Sequence, residues 1–387
     1  MPILKLITMN KKFFSLLAIV LLCGFLFYSC QPSATDTPAC QVLKVELKPN
    51  TPSVHDLFSR IEVVPLEDHN DSCLVMRLSK VFPYKDKIYV LDRKIPACYE
   101  FDKNGNFIRP IGKTGNGPGE YIHADDCLID EARQEIVLME CFGFLYVYDM
   151  TGKFLRKVKM QDLMACHSFA LTSDGKYALW NGAATKDQSA INLFDFDGNL
   201  VKGYWHQPEQ FNWMLLSVFY SYAGNTYFST GYSPDVYELS ADTLQAVYQW
   251  DFGENNLSPS VLRNIENEDE SHSDKLVGEY LENGTLPYSF DTQYQNERYY
   301  YVRLTKSYGN LLYDIFYDKQ TGYSFVFDKV KEGFSISPLA MTDEYMLCLL
   351  KYEDFDLMKE VLPEDEYAKL TKLDEESNPC LLRLYFK

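Results

Sequence analysis

Two histidines and an aspartate, His123, Asp126 and His167, are the side chains best suited to hold a metal ion or to move a proton, because imidazole and carboxylate are metal donors and imidazole titrates near neutrality. They do not complete a catalytic set by themselves. His55 and His69 fall early in the chain, His206 follows a run of apolar and basic residues, and His272 lies in an acidic stretch. Gly112-Lys113-Thr114 copies the end of a phosphate-binding loop, but Phe107 stands where that loop needs its first glycine. Asp195-Phe196-Asp197-Gly198-Asn199 imitates the start of a calcium loop, yet His206 occupies the place of the closing bidentate glutamate. No Gly-x-Ser-x-Gly elbow is present and no cysteine has an evident histidine partner, so nucleophilic catalysis has no support. No cofactor motif survives these comparisons, and none is expected.

The elements that would carry these residues follow from a repeat. FDKNGNF (101–107), YDMTGKF (148–154) and FDFDGNL (194–200) share an aromatic residue, Asp, two variable residues, Gly, a polar residue and an apolar one. Such a unit ends one strand, turns on a glycine that tolerates positive φ, and begins the next. Looser copies stand at YELSADTL (237–244) and YDKQTGYSF (317–325), and a second tight turn recurs upstream in each unit. Two hairpins per unit of about 45 residues mean four strands per unit, which is the signature of propeller blades. The expected fold is all-β, a six-bladed β-propeller with blades near 79–112, 125–160, 167–206, 216–253, 285–329 and 335–387. The last unit lacks a fourth strand, and Arg60–Leu66 is a strand without a blade. Pairing the two would close the ring and remove exposed sheet edges.

In four-stranded blades both tight hairpins lie on one face of the disc, and the second-to-third-strand loops and inter-blade links lie on the other. Every long insertion falls on that second face, including the acidic, helix-like segments 254–284 and 351–378. Long loops on a rigid scaffold are where binding is commonly built. These two segments would either cover the channel as a lid or partner surface, or stand as solvated helices. The same face should carry Arg93, Tyr121, His123, Asp126, His167, Phe211, Trp213 and Tyr232. Trp213 and its aromatic neighbours could stack on sugar rings or could cap a core.

Composition restricts partners. A formal net charge of −18 opposes binding to nucleic acid, which needs a basic surface, and would repel anionic membranes. Membrane attachment should therefore come from a lipid. Residues 1–29 read as an export signal: Lys11 and Lys12, an apolar run from Phe13 to Tyr28 that is short for a bilayer span, then Ser29-Cys30. Leu26–Cys30 resembles the bacterial lipobox, in which the cysteine thiol receives diacylglycerol, although Phe27 and Tyr28 are bulkier than the usual pattern. That resemblance implies a lipidated Cys30 as first mature residue, and Gln31 after it implies the outer membrane, facing either periplasm or exterior. Residues 30–56 read as a flexible tether and 57–387 as the propeller. Cysteines 40, 73, 98, 127, 141, 166, 348 and 380 include no CxxC pair, which argues against a zinc ribbon; they read mostly as small buried hydrophobes. If one disulfide forms, Cys348 with Cys380 is the expected pair, because both fall on neighbouring strands of the last unit.

With Cys30, the strand ending Val64-Pro65-Leu66-Glu67, the segment Gly112–Tyr121 and the closing Asn378-Pro379-Cys380-Leu381-Leu382, the chain resembles a family of bacterial six-bladed β-propeller lipoproteins, distantly like NHL-repeat propellers. The resemblance covers nearly the whole mature chain, and it implies the fold without implying an activity. The expected function is a lipid-anchored, non-enzymatic module of the cell envelope that binds a ligand or a protein partner, with glycan capture as one form of it. The alternative is a metal-dependent hydrolase or lyase at the channel mouth.

Overall fold

The structure, a computed structural model, describes residues 40–68, 73–161, 163, 166–181, 188–206, 218–266, 270–306 and 310–387. Six antiparallel sheets follow one another along the chain. Blade one comprises Lys80–Tyr84, Lys87–Asp92, Ala97–Asp102 and Phe107–Pro110, in that order from inner to outer strand. Blade two spans Asp126–Lys159, blade three Cys166–His206, blade four Phe219–Asp251 and blade five Ser289–Phe327, each with the same strand order. Blade six takes Pro338–Met341, Tyr345–Leu350 and Cys380–Phe386 from the end of the chain, and its outer strand Phe58–Pro65 from the beginning. The register of that closure sets Val63 opposite Leu382, Val64 opposite Leu381 and Pro65 opposite Cys380. The six-bladed, ring-closed propeller expected from the repeat is therefore the fold.

The repeat motif has a local physical cause. Asp102 Oδ1 accepts the N–H groups of Asn104 (2.7 Å) and Asn106 (3.0 Å), and Asp149 and Asp195 do the same for the residues two and four positions on. A carboxylate that collects the turn's free N–H groups mimics a backbone turn, which explains why Asp ends the third strand each time. Gly105 turns the chain at φ +91°, and a Cβ there would lie 2.0 Å from the Pro65 carbonyl oxygen, so this glycine also lets blade one approach the closing strand.

Each blade is buried on both faces, so its second strand is buried along nearly its whole length rather than at alternate residues. Glu135–Glu140 is buried at every position. Ile136 and Leu138 join the core shared with blade one, and Val137 and Met139 join the core shared with blade three. Six such cores lie between successive blades, the last one joining blade six to blade one around Val64, Val81 and Leu381. Chain ends are stitched at this seam. The buried Asn378 accepts the Val75 N–H (2.8 Å) and donates to the carbonyls of Glu67 and Cys73 (2.7 Å each), while Glu67 accepts the Phe107 N–H (2.7 Å). The closing Asn378-Pro379-Cys380 segment and Glu67 thus act together as the clasp of the ring.

Three expectations need correction. The lead before residue 57 is fixed from Gln41 onward: Gln41–Lys44 adds a fifth, parallel strand to the outer edge of blade four, Asn50 exchanges hydrogen bonds with Val326, and Val54–Leu57 forms a short capped helix. A parallel edge strand carries no turn signal, which is why the sequence hid it. The expected Cys348–Cys380 bridge is not formed, and both thiols are free. Register is the reason, since Cys348 faces Leu382 and Cys380 faces Leu350 across the same strand pair.

The third correction concerns the two insertions, whose described residues do not line the channel mouth. Within 351–378, the helix Glu364–Leu370 lies against the outer strand of blade six. Glu366 accepts the outward Val63 N–H (2.6 Å), and Lys369 donates to the Val63 carbonyl (3.1 Å). The insertion therefore covers a sheet edge that would otherwise offer free backbone groups. Within 254–284, Ile265 and Val277 are buried with Leu43 of the added strand and Val45 just after it. Both insertions serve the rim of the disc.

Candidate functional site

At the mouth of the channel, on the face opposite the tight hairpins, the starts of four inner strands enclose a cavity of about 450 Å³. Strand geometry places them there: Lys80, Asp126, Ser168 and Phe219 all stand at or near the first residue of an inner strand, and in a radial array these positions converge on the axis. Arg77 precedes the inner strand of blade one, and Arg93 and Lys94 occupy the turn after its second strand, which opens on the same face.

A buried carboxylate builds this wall. Asp92 is fully buried, and its Oδ2 accepts the N–H groups of Met76 (2.6 Å) and Arg77 (2.8 Å) while its Oδ1 accepts those of Lys94 (2.7 Å) and Ile95 (3.3 Å). One side chain thereby orders both segments that bring basic residues to the cavity. Asp126, 2% exposed, accepts the Lys80 ammonium (2.7 Å) and the backbone N–H groups of Cys127 (2.7 Å) and Phe169 (2.9 Å), which ties blades one, two and three together. Arg93 ties the same three blades by a second route, donating its guanidinium to the carbonyls of Asp125 and His167. Asp125 stands 3.8 Å from His167 Nδ1 and accepts the Cys141 N–H (2.7 Å). Burial pushes the Asp125 carboxyl up, but the neighbouring His167 ring and the Cys141 N–H outweigh that and hold it below the ordinary carboxylate range.

The charge balance of the cavity runs against that of the chain. Four basic side chains, Arg77, Lys80, Arg93 and Lys94, face two carboxylates, Asp125 and Asp126. Lys80 and Arg93 are engaged as described. Arg77 and Lys94 are exposed and make no side-chain hydrogen bond or ion pair among the described residues. Phe219, half-buried with its ring against Phe228 (5.7 Å), supplies an apolar surface.

Of the residues singled out from the sequence, Arg93, Asp126 and His167 meet here. His123 does not join them. Its backbone N–H is held by Glu140 (3.2 Å), its ring lies edge-on to Phe142 (5.9 Å), and it lines a separate cavity of about 610 Å³ beside the glycine-rich loop. Tyr121 is buried with its hydroxyl donating to the Ile111 carbonyl (3.1 Å), so it belongs to the core between blades one and two. Tyr232 lies against the core between blades four and five, and burial pushes its hydroxyl up to about 12. Cys30, Phe211 and Trp213 lie outside the described residues. Because His123 and His167 line different cavities, the pair that motivated a metal site is divided. Among the described residues, no three His, Cys, Asp or Glu side chains come together to hold a metal ion.

Sequence reasoning missed Arg77, Lys80, Lys94 and Phe219. The signal existed for two of them, since Lys80 and Phe219 begin inner strands just as Asp126 and His167 do, or nearly so. Arg77 and Lys94 had none, because hydrogen bonds between distant backbone segments, those of Asp92 foremost, bring them together.

Comparison with known proteins agrees with the fold. Residues 40–385 match the family described as "Domain of unknown function (DUF4934)". A crystal structure of a Bacteroides fragilis NCTC 9343 protein, named as exported, superposes with a TM-score of 0.74 at 18% identity, covering 90% of this chain and 100% of that one. A member of the DUF4221 family from Bacteroides vulgatus ATCC 8482 superposes with a TM-score of 0.52 at 11% identity, covering 86% of this chain and 97% of that one. No curated protein matches the chain.

Proposed function

The chain belongs to the DUF4934 family, and on that footing we propose that it is a non-enzymatic binding module of the cell envelope, anchored by a lipid on Cys30, whose ligand sits in the cavity at the channel mouth. The observation that carries this reading is a pair of cations, Arg77 and Lys94, that make no side-chain hydrogen bond or ion pair among the described residues and are held on a backbone ordered by the buried Asp92. Two basic side chains held beside a concave, partly apolar surface would give an anionic ligand a preformed site, with little ordering left to do on binding. The insertions at the rim support the same reading, because they leave the mouth open where the described residues enclose it. Anchoring is supported by the leader and by Ser29-Cys30, and Gln31 supports the outer membrane.

The test is a glycan-array and pull-down screen of the protein purified from membranes, followed by hydrogen-exchange mapping of any hit. Protection concentrated at 77–80, 93–94 and 167–168 is the expected result. Protection confined to the rim insertions would refute a site at the mouth. Mass spectrometry of the N-terminal peptide tests the anchor, with diacylglycerol expected on Cys30 and lost in Cys30→Ser.

A further inference from the structure

The chemistry of the mouth goes further and selects a class of ligand, resting on the reading that the mouth is the binding site. Arg77 and Lys94 offer a planar fork and a point charge to an anion. A neutral ligand seated over them would displace part of their hydration without supplying a counter-charge. The wall also holds acceptors. Asp125 keeps its carboxylate ionised beside His167, with its side chain 17% exposed, so it can receive hydroxyl donors from a bound molecule. A small oxyanion such as phosphate would satisfy the cations but would offer Phe219 no apolar face and Asp125 little besides like charge. A ligand that carries both a carboxylate and hydroxyl groups fits both walls. Phe219 adds an apolar face of the kind on which the C–H side of a sugar ring stacks. The cavity volume, about 450 Å³, lies within the range of small-molecule sites.

From this we infer that the mouth cavity recognises a carboxylated saccharide, with its carboxylate between Arg77 and Lys94, ring hydroxyls on Asp125 and His167, and an apolar ring face on Phe219. The saccharide needs no cleavage here, and every contact is one of recognition.

Titration calorimetry of the membrane-purified protein tests it, using disaccharides of galacturonate and of glucuronate, sialyllactose, the neutral galactose and glucose disaccharides, and inorganic phosphate. At least one acidic sugar should bind about tenfold or more tighter than its neutral counterpart, a difference of about 1.4 kcal/mol. Arg77→Gln and Lys94→Gln should each erode that preference, and raised salt should weaken it, while melting temperatures stay near that of the parent. Equal binding of neutral and acidic sugars, with no effect of the two variants, would overturn the acidic class and leave a mouth site standing. Phosphate binding as tightly as the best acidic sugar would overturn the saccharide. Absence of binding by every probe would overturn the inference, and the mapping of array hits would then decide separately whether the mouth is a site at all.

Discussion

Removal of the Asp126 carboxylate should be the most informative single change at the mouth. Asp126→Ala leaves two backbone N–H groups without their acceptor, those of Cys127 and Phe169, on residues 0% and 2% exposed. Each orphaned buried donor costs about 1 to 3 kcal/mol. Water entering from the cavity recovers part of this, so a loss of about 3 kcal/mol is expected. The freed Lys80 adds little, because its side chain is 34% exposed and can turn to solvent. For the unit Cys40–Lys387, unfolding entropy is on the order of 0.7 kcal/mol/K, so the melting temperature should fall by about 4 °C. Lys80→Met leaves the buried carboxylate its two backbone donors and removes only the cation, so it should lower the melting temperature by less, about 2 °C, and Asp126→Asn, which keeps an oxygen acceptor, should also fall short of the alanine variant. Differential scanning calorimetry of the three variants checks this. A fall below 1 °C for Asp126→Ala, or an equal fall for Lys80→Met, would show that the carboxylate does not serve as the shared acceptor of three blades.

Three other outcomes follow from the fold. Burial lowers the Lys319 ammonium from 10.5 to about 8, so between these values the unfolded chain holds more protons than the native one and stability should rise with pH across the window. Because the group is only partly buried, the rise should be about 1 kcal/mol after allowance for solvent screening, and it should vanish in Lys319→Met; urea midpoints at pH 7.5 and 10 that shift in parallel for both proteins would contradict this. Gly105→Ala should cost several times more than Gly224→Ala: both glycines have positive φ, worth about 1 to 2 kcal/mol, but only at Gly105 would the new Cβ strike backbone, the Pro65 carbonyl, whereas nothing lies within 4 Å at Gly224. Equal melting temperatures for the two variants would count against a tight closing seam. Glu366→Ala should cost about 1 to 2 kcal/mol and speed amide exchange at Val63, since it uncovers a donor at the sheet edge; unchanged exchange there would mean the insertion does not guard that edge.

The clasp gives physical content to residues that otherwise only marked a resemblance. Glu67, Asn378 and the turn at Gly105 form one hydrogen-bonded seam between the first and last blades. Closure by an N-terminal strand means that the most distant parts of the chain must meet before the edges disappear, and the three residues hold that meeting point without a disulfide.

The amino-acid sequence by itself determined the blades, because the repeat is written locally and most plainly in the first three: an Asp that gathers its own turn's N–H groups, a glycine at positive φ, and largely apolar strands between them. It determined the closing strand as well, since an unpaired strand at one end and a three-stranded unit at the other leave one economical solution. It could not fix the parallel strand Gln41–Lys44 or the role of the insertions, because both depend on backbone edges supplied by residues far away in the chain. The mouth was legible in part. Arg93, Asp126 and His167 stand at positions that the strand order predicts, whereas the separation of His123 from His167 and the gathering of Arg77 with Lys94 were decided by tertiary structure. The physical reason is that Asp92 acts on two segments at once, and a carboxylate's choice of donors becomes defined only when the strands on either side of it have packed.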